Sequence, residues 1–397
     1  MRLIKAVLLL SSGMTVMAGA VISPALPEIS RHFSGEGGLV LSKLILTMPA
    51  LTIAVCAPLA GHISDLFGRR KLLLISLFLY GVSGFSGFFL NDLLLLLASR
   101  AVLGMGVGGI MSAATALVGD LFSGDERARF IGLQSGFMYI GGVVLVLLGG
   151  LLAEMSWKGP FVAYLSAFAV LAMAVTGLTE PKAGKKDVEV KMRDQGNWQV
   201  PYLTMSLIYL LVFLLMIFYY MVLVQVPFIL QERFGVGSAI TGVAISLSAF
   251  AGALSSLSYS LIKRRFRYRI IYVLGFGFVA AGYILIGNSL SFFYMLAGLA
   301  LAGFGNGMLM PNGSFWLMEV APEHIRGKAV GGFTGMIFLG QFLSPLAMAP
   351  VIALFSLNGA FLAAAAAMGS IVLLLLLVPK TYAIVIAKKS CPRDPVQ

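Results

Sequence analysis

The sequence predicts an all-α membrane protein with twelve transmembrane helices in two pseudo-symmetric six-helix halves. Three observations predict it. The 397 residues are 59% hydrophobic and 11% charged, whereas soluble domains are about half apolar and about a quarter charged. Twelve apolar stretches are long enough to cross a membrane, each near the roughly 20 residues that a bilayer core requires. Basic residues crowd every second connection, the bias that orients membrane proteins. A mean hydropathy of +0.97 excludes a soluble, disordered or fibrous chain.

In chain order the spans are 4–24, 42–63, 72–90, 93–118, 129–152 and 160–178, then 202–226, 237–262, 270–288, 291–318, 328–354 and 359–378. The first follows Arg2 and Lys5 and runs past Met14 to Ile22. That is longer than a signal-peptide core, so it is expected to be retained. Span four starts after Asn91-Asp92, and span five after the polar Ser123–Arg129. Most spans are rich in Gly, which allows close helix packing in lipid. With the N-terminus inside, 23 of the 28 Lys/Arg fall on inner segments. Arg31, Lys43, Lys158 and Arg233 fall on outer loops, and Arg100 lies within a span. Both termini are therefore expected in the cytoplasm. The net charge of +12 is explained by topology, so no nucleic-acid partner is expected.

The polar stretch 180–200 reads as a cytoplasmic linker between halves 1–179 and 201–379, with a cytoplasmic tail at 380–397. At an offset of 199 the halves repeat: Gly104 with Gly303, Gly106 with Gly305, Asp120 with Glu319, Arg127 with Arg326 and Gly141 with Gly340. Two repeated halves with a site between them near mid-membrane are a plan used by secondary transporters.

Between spans two and three lies Gly61-His62-Ile63-Ser64-Asp65-Leu66-Phe67-Gly68-Arg69-Arg70-Lys71. This resembles the signature loop of the major facilitator superfamily. Pro24-Ala-Leu-Pro27 and Arg100-Ala-Val-Leu-Gly104-Met-Gly106 resemble motifs of its twelve-span drug/proton antiporter branch. Gly132, Gly141, Gly149 and Gly150 match the antiport run of span five, but Leu145-Val146 replaces its Gly-Pro. The resemblance implies the major facilitator fold and alternating access. It makes Gly61, Asp65, Gly68, Arg69 and Arg70 a gating loop, with Asp65 as a latch on the cytoplasmic side. It also implies a cavity lined by spans one, four, seven and ten, with contributions from five and eleven. There the chain offers Met14, Thr15, Met105, Gln134, Tyr139, Tyr209, Phe213, Asn306, Met310, Asn312, Phe338 and Gln341, with Met17, Tyr219 and Tyr220 beside them.

Arg100 is the charge set well inside a span, a position that is costly and commonly functional. Three roles stay open: proton coupling with Glu28, reception of an anionic substrate group, or hydrogen bonds to carbonyls of span one near Pro24 and Pro27. Asp120 with Arg127 and Glu319 with Arg326 are expected to brace the inner gate. No carboxylate lies within span one or four, which favours neutral or anionic amphipathic cargo. The sequence lacks a nucleotide loop, a nucleophile constellation and metal-ligand spacing. The expectation is thus a transporter and no enzyme, without cofactor or metal, using the proton as coupling ion. Its partners would be a small molecule and the bilayer, as a monomer in a bacterial inner membrane. Export of a drug or a secreted metabolite such as a siderophore leads; uptake or uniport is the alternative.

Overall fold

A computed structural model describes residues 2–33, 38–178 and 200–377. The linker, apart from Val200, and the tail lie outside them. The described chain is helical. Helix α1 comes in three pieces, Arg2–Ala20, Ser23–Ala25 and Leu26–His32. It is broken where Pro24 and Pro27 remove backbone donors. Next come α2 (Gly38–Phe67), α3 (Arg69–Ser86), α4 (Leu93–Leu121) and α5 (Gly124–Met155). Helix α6 is again in three pieces, Gly159–Val162, Ala163–Leu165 and Ser166–Gly177. Then follow α7 (Tyr202–Phe234), α8 (Ser238–Leu257, continued by Tyr259–Arg265), α9 (Tyr268–Gly287) and α10 (Phe292–Val320).

The last 52 helical residues, Arg326–Leu377, turn at Ser356, where φ is 64°. Unbroken, they would run about 78 Å, more than twice a bilayer core, so they form two spans, α11 (326–355) and α12 (357–377). Among the described residues, ten segments are apolar and long enough to cross a membrane. Dividing the last of these and adding α3, whose inner end carries Arg69, Arg70 and Lys71, gives the twelve crossings expected. Leu94, Phe78, Leu151 and Leu203 are among the many large apolar side chains left exposed, as a lipid-facing surface requires.

Capping is local. The Asp92 carboxylate accepts from Leu95 N at 2.8 Å to start α4, satisfying an orphan amide. Gly68, with φ 93°, makes the α2–α3 corner, a backbone that side chains resist. Lys43, expected in an outer loop, is instead 6% exposed on α2 with its ammonium 4.7 Å from the Phe228 ring centroid. The helix starts earlier than hydropathy implies, because Lys43 can lay its stem along apolar surface.

Helix α4 packs on α2 and α3 as α10 packs on α8 and α9. A Cβ on Gly104 would lie 2.4 Å from Pro49 O, and one on Gly303 would lie 2.0 Å from Ser248 O. Gly106 and Gly305 likewise abut Ser76 and Gly275, and then Tyr80 and Val279. Each of these contacts in residues 200–377 is the earlier contact displaced by 199. Across the two sets, α5 packs on α8, and α2 on the Arg326–Leu377 helix.

Gly104→Val is expected to lower stability by about 2 kcal/mol or more by overpacking, read as a lower melting temperature in detergent. Gly132→Ala, where a Cβ meets nothing within 4 Å, is expected to leave it unchanged or slightly raised.

Candidate functional site

A cavity of about 260 Å³ lies where the two sets of helices meet. Its walls pair by the same offset: Leu46 with Ile245, Pro49 with Ser248, Ala50 with Ala249, and Gly142 with Gln341. Thr15, Met111, Met138, Tyr219, Tyr220 and Phe338 complete the principal surface. Among the described residues its lining holds no Asp, Glu, Lys, Arg or His.

The end opposite the basic loops is sealed. Ser23 Oγ donates to Leu223 O at 2.5 Å, and Gln231 Nε2 to Pro24 O at 2.9 Å. Ser238 Oγ donates to Glu28 at 2.6 Å, and Ala239 N to Glu154 at 2.9 Å. Two carboxylates from residues 2–178 thus converge on the first turn of α8, where free amides and the helix dipole favour negative charge. Gly237 admits the Glu154 carboxylate, which a Cβ there would meet at 2.6 Å. Gly149 and Gly150 press against Val21 and α8. Toward the basic end the contact loosens. A Cβ on Gly132, Gly136 or Gly141 of α5, or on Gly327, Gly331 or Gly335 of α11, would meet nothing within 4 Å. A groove of about 630 Å³ between α2 and α11 shares Ile53 and Phe338 with the cavity.

At the basic end, Arg69 pairs with Asp120 and donates to Ala116 O at 3.2 Å, while Arg70 donates to Val175 O at 3.0 Å. The loop therefore ties α3 to α4 and α6. Gly61 and Asp65 end α2, but the side chains of 61–67 lie outside the described part. The expected Asp120–Arg127 and Glu319–Arg326 pairs are not the ones formed. Asp120 takes Arg69, and Glu319 accepts from Tyr268 Oη at 2.5 Å. Arg127 lies over Gly119 instead, and Arg326 is exposed at the start of α11. Each partner at 69 and 268 sits on a neighbouring helix start, closer than a residue seven places along a turning chain.

Arg100 is fully buried. Its Nη2 donates to Ser83 O at 2.8 Å and to Gly84 O at 2.9 Å. The guanidinium lies about 5 Å over the rings of Phe161 and Tyr164. Tyr164 in turn donates to Ala18 O at 3.0 Å, and Tyr80 to Met14 O at 2.9 Å. Arg100 therefore joins α3, α4 and α6, with α1 hung on the two tyrosines. It meets neither Glu28, which holds Ser238, nor the carbonyls near Pro24, and it does not line the cavity.

Of the other residues expected in the cavity, Thr15, Phe338 and Gln341 line it, as do Tyr219 and Tyr220. Several stand beside it as ties between helices. Gln134 donates to Ser12 Oγ, Tyr139 accepts from Ser256 at 2.7 Å, and Tyr209 donates to Ala329 O at 2.8 Å. The carbonyl of Phe213 lies against Gly340, and Met14 is buried below Tyr80. Met105 is exposed away from the lining, and Met310 packs in a cluster with Ile208 and Phe333. Asn306 is half-buried, its Oδ1 without a partner. Asn312 is fully buried, accepting from Tyr259 at 3.1 Å and donating to Tyr268 O at 3.0 Å. The glycine contacts of α4 and α10 set their helical phase, turning these faces toward α3 and α9. Sequence reasoning missed the walls from α2 and α8, although the offset of 199 pairs them. It also missed Glu154.

The sequence profile of the Major Facilitator Superfamily matches residues 8–264 and 208–390. Among curated proteins, the "Bacillibactin exporter" of Bacillus subtilis is 26% identical over 362 residues, covering 86% of this chain and 88% of its own. The "Quinolone resistance protein NorA" of Staphylococcus aureus is 27% identical over 186 residues, 45% of this chain and 47% of its own. Among solved structures, a D-xylose-proton symporter superposes with a TM-score of 0.74 at 18% identity, covering 96% of this chain and 98% of its own. An inward-facing bacterial homologue of the human lysosomal transporter Spinster gives 0.75 at 15% identity, with 98% of each chain covered. These likenesses carry the fold.

Arg100→Ala is expected to lower stability by about 1–3 kcal/mol, since Gly84 O loses its donor while Ser83 O keeps Ser86 Oγ at 2.8 Å, and Arg100→Lys to recover part of that loss. Thermal unfolding of the purified protein measures both. The pair Glu28→Gln, Glu154→Gln is expected to move the population toward opening at the sealed end by about tenfold or more, each charge-assisted bond being worth about 1.5–3 kcal/mol. Spin labels at Ser156 and Leu290 report it as a longer distance.

Proposed function

The chain belongs to the major facilitator superfamily, and from that premise we propose that it exports a small amphipathic compound in exchange for protons. That it is a transporter and not an enzyme follows from the family and its relatives. The finer reading adds two pseudo-symmetric six-helix halves, 1–179 and 201–379, linked through 180–200 and rocking about the central cavity. The observation that carries it is the cavity itself, walled by offset-paired residues and sealed at one end only. The basic loops assign the loose end to the cytoplasm, so both termini and the tail 380–397 lie inside and the structure is inward-facing. The relative named as an exporter supports the direction. Cargo enters from the cytoplasm, and the bonds of Glu28 and Glu154 to α8 part to release it outside.

Proton exchange suits Glu28, half-buried at the sealed end, with Glu154 exposed beside it, because opening parts both carboxylates from α8. Arg100 acts as a structural tie that keeps α1 in register. Asp65 latches the cytoplasmic side when the cavity faces outward. The protein works as a monomer in a bacterial inner membrane and needs no metal or cofactor. Leu145-Val146, in place of Gly-Pro, supports a second reading, uniport, since α5 passes the cavity without a proline kink.

Purified protein in vesicles containing a pH dye tests the proposal. With a panel of amphipathic drugs added, proton movement coupled to drug movement is expected, and it should fall at least tenfold in the Glu28→Gln, Glu154→Gln pair. Drug movement with no proton signal would establish uniport.

A further inference from the structure

We infer that the central cavity recognises cargo that is uncharged at membrane depth, through hydrogen bonds to Ser248 and Gln341 and contact with Tyr219, Tyr220 and Phe338. This rests on the transporter reading and names its substrate class.

The first support is charge. Among the described residues, the cavity lining contains no ionisable side chain other than the phenols of Tyr219 and Tyr220. The buried cations nearby are committed elsewhere. Arg100 is held by the carbonyls of Ser83 and Gly84 between α3, α4 and α6. Lys43 lies over Phe228 toward the sealed end. Glu28 and Glu154 face the first turn of α8, beyond the cavity. An ion entering such a site loses its water and gains no counter-charge, which low-dielectric surroundings penalise heavily.

The second support is an unsatisfied group in the wall. Ser248 Oγ is buried and has no hydrogen-bond partner. Buried hydroxyls are ordinarily paired, so a lone one in the wall of a cavity is a place where a ligand's polar atom would be taken up. Its backbone cannot drift, because Ser248 O abuts Gly303 of α10. Across the cavity, Gln341 holds only a long contact from Nε2 to Met216 Sδ at 3.8 Å, leaving its amide free to pair. Thr15 Oγ1 gives its proton to Ser12 O at 2.7 Å and so presents lone pairs. The remaining walls, Met111, Met138, Tyr219 and Phe338, are soft and aromatic, surfaces that adapt to varied shapes. The complementary molecule is an aromatic, neutral compound, held more tightly when it carries a polar group that can pair with Gln341 or Ser248.

Two matched probe pairs test this. N-phenyl-1-naphthylamine and 8-anilinonaphthalene-1-sulfonate share a ring system but differ by a negative charge. Diphenylhexatriene and its trimethylammonium derivative differ by a positive one. Binding is scored by the rise in melting temperature of purified protein, and movement by fluorescence in vesicles. The neutral amine is expected to bind at least tenfold tighter than the sulfonate, and diphenylhexatriene tighter than its cation. Ser248→Ala and Gln341→Ala should each weaken the amine about fivefold or more. Gln341→Glu should bring the cation to at least the affinity of its neutral parent. Charged probes binding the unmodified protein as tightly as their neutral counterparts would overturn the inference. So would amine affinity unchanged in both alanine variants, or no stabilisation by any probe. Neutral probes that bind as expected but never cross the membrane would leave the inference standing and sink the transport reading.

Discussion

Backbone-to-backbone contact between helices is the constraint on which the rest depends. In lipid there is little hydrophobic force to press one helix on another, so small residues that allow close approach decide the packing. Here Gly104 brings α4 onto Pro49 of α2, and Gly303 brings α10 onto Ser248 of α8. These contacts fix the phase of four helices at once. They decide that Pro49 and Ser248 reach the cavity and that Met105 and Asn312 do not. The character of the cavity is therefore a product of glycine placement as much as of its own side chains.

The basic end repeats the same logic in polar groups. Arg69 with Asp120 in the first set becomes Tyr268 with Glu319 in the second. Arg70 holding Val175 O becomes Arg269 holding Leu375 O. The carboxylate at the end of the fourth or tenth helix keeps a partner on the third or ninth, while the chemistry of that partner changes from ion pair to phenol. The sealed end breaks the pattern. Glu28 and Glu154 both come from the first set, and α8 answers with amide and hydroxyl. Charge is thus distributed unequally at the gate that must open.

Much of this was legible in the sequence. Span number follows from hydropathy, with α11 and α12 correctly separated around residue 356 although the helix there runs nearly unbroken. The repeat offset, found from glycines and two charged pairs, carries through to the cavity walls and the basic-end pairs. The pairing of Asp120 was misjudged because nearness along the chain was taken for nearness in space, and the helix start at Arg69 lies closer. Lys43 was misplaced because hydropathy counts its charge and cannot see that its ammonium lies over the Phe228 ring. Cavity residues were the least legible. Whether a side chain lines a void depends on helix rotation, and in Gly-rich helices apolar on every side the sequence carries little amphipathic signal to fix it.

Arg100 has a consequence for how the two repeats can diverge. At the same layer of the second set, Gly282 and Gly298 touch through their backbones, and Leu299 stands where Arg100 stands in the first. The first set has Ser83 and Ser99 in place of those glycines, and the Arg100 guanidinium lies between them and the carbonyls of Ser83 and Gly84. Neither solution changes into the other by one substitution. A Cβ on Gly282 would strike Gly298 O at 2.5 Å, and an aliphatic side chain at 100 would strand the carbonyl of Gly84. A path between them must pass through compensated multiple changes. The layer is therefore an epistatic block, in which a change at position 100 or 282 works only with a compensating change across from it.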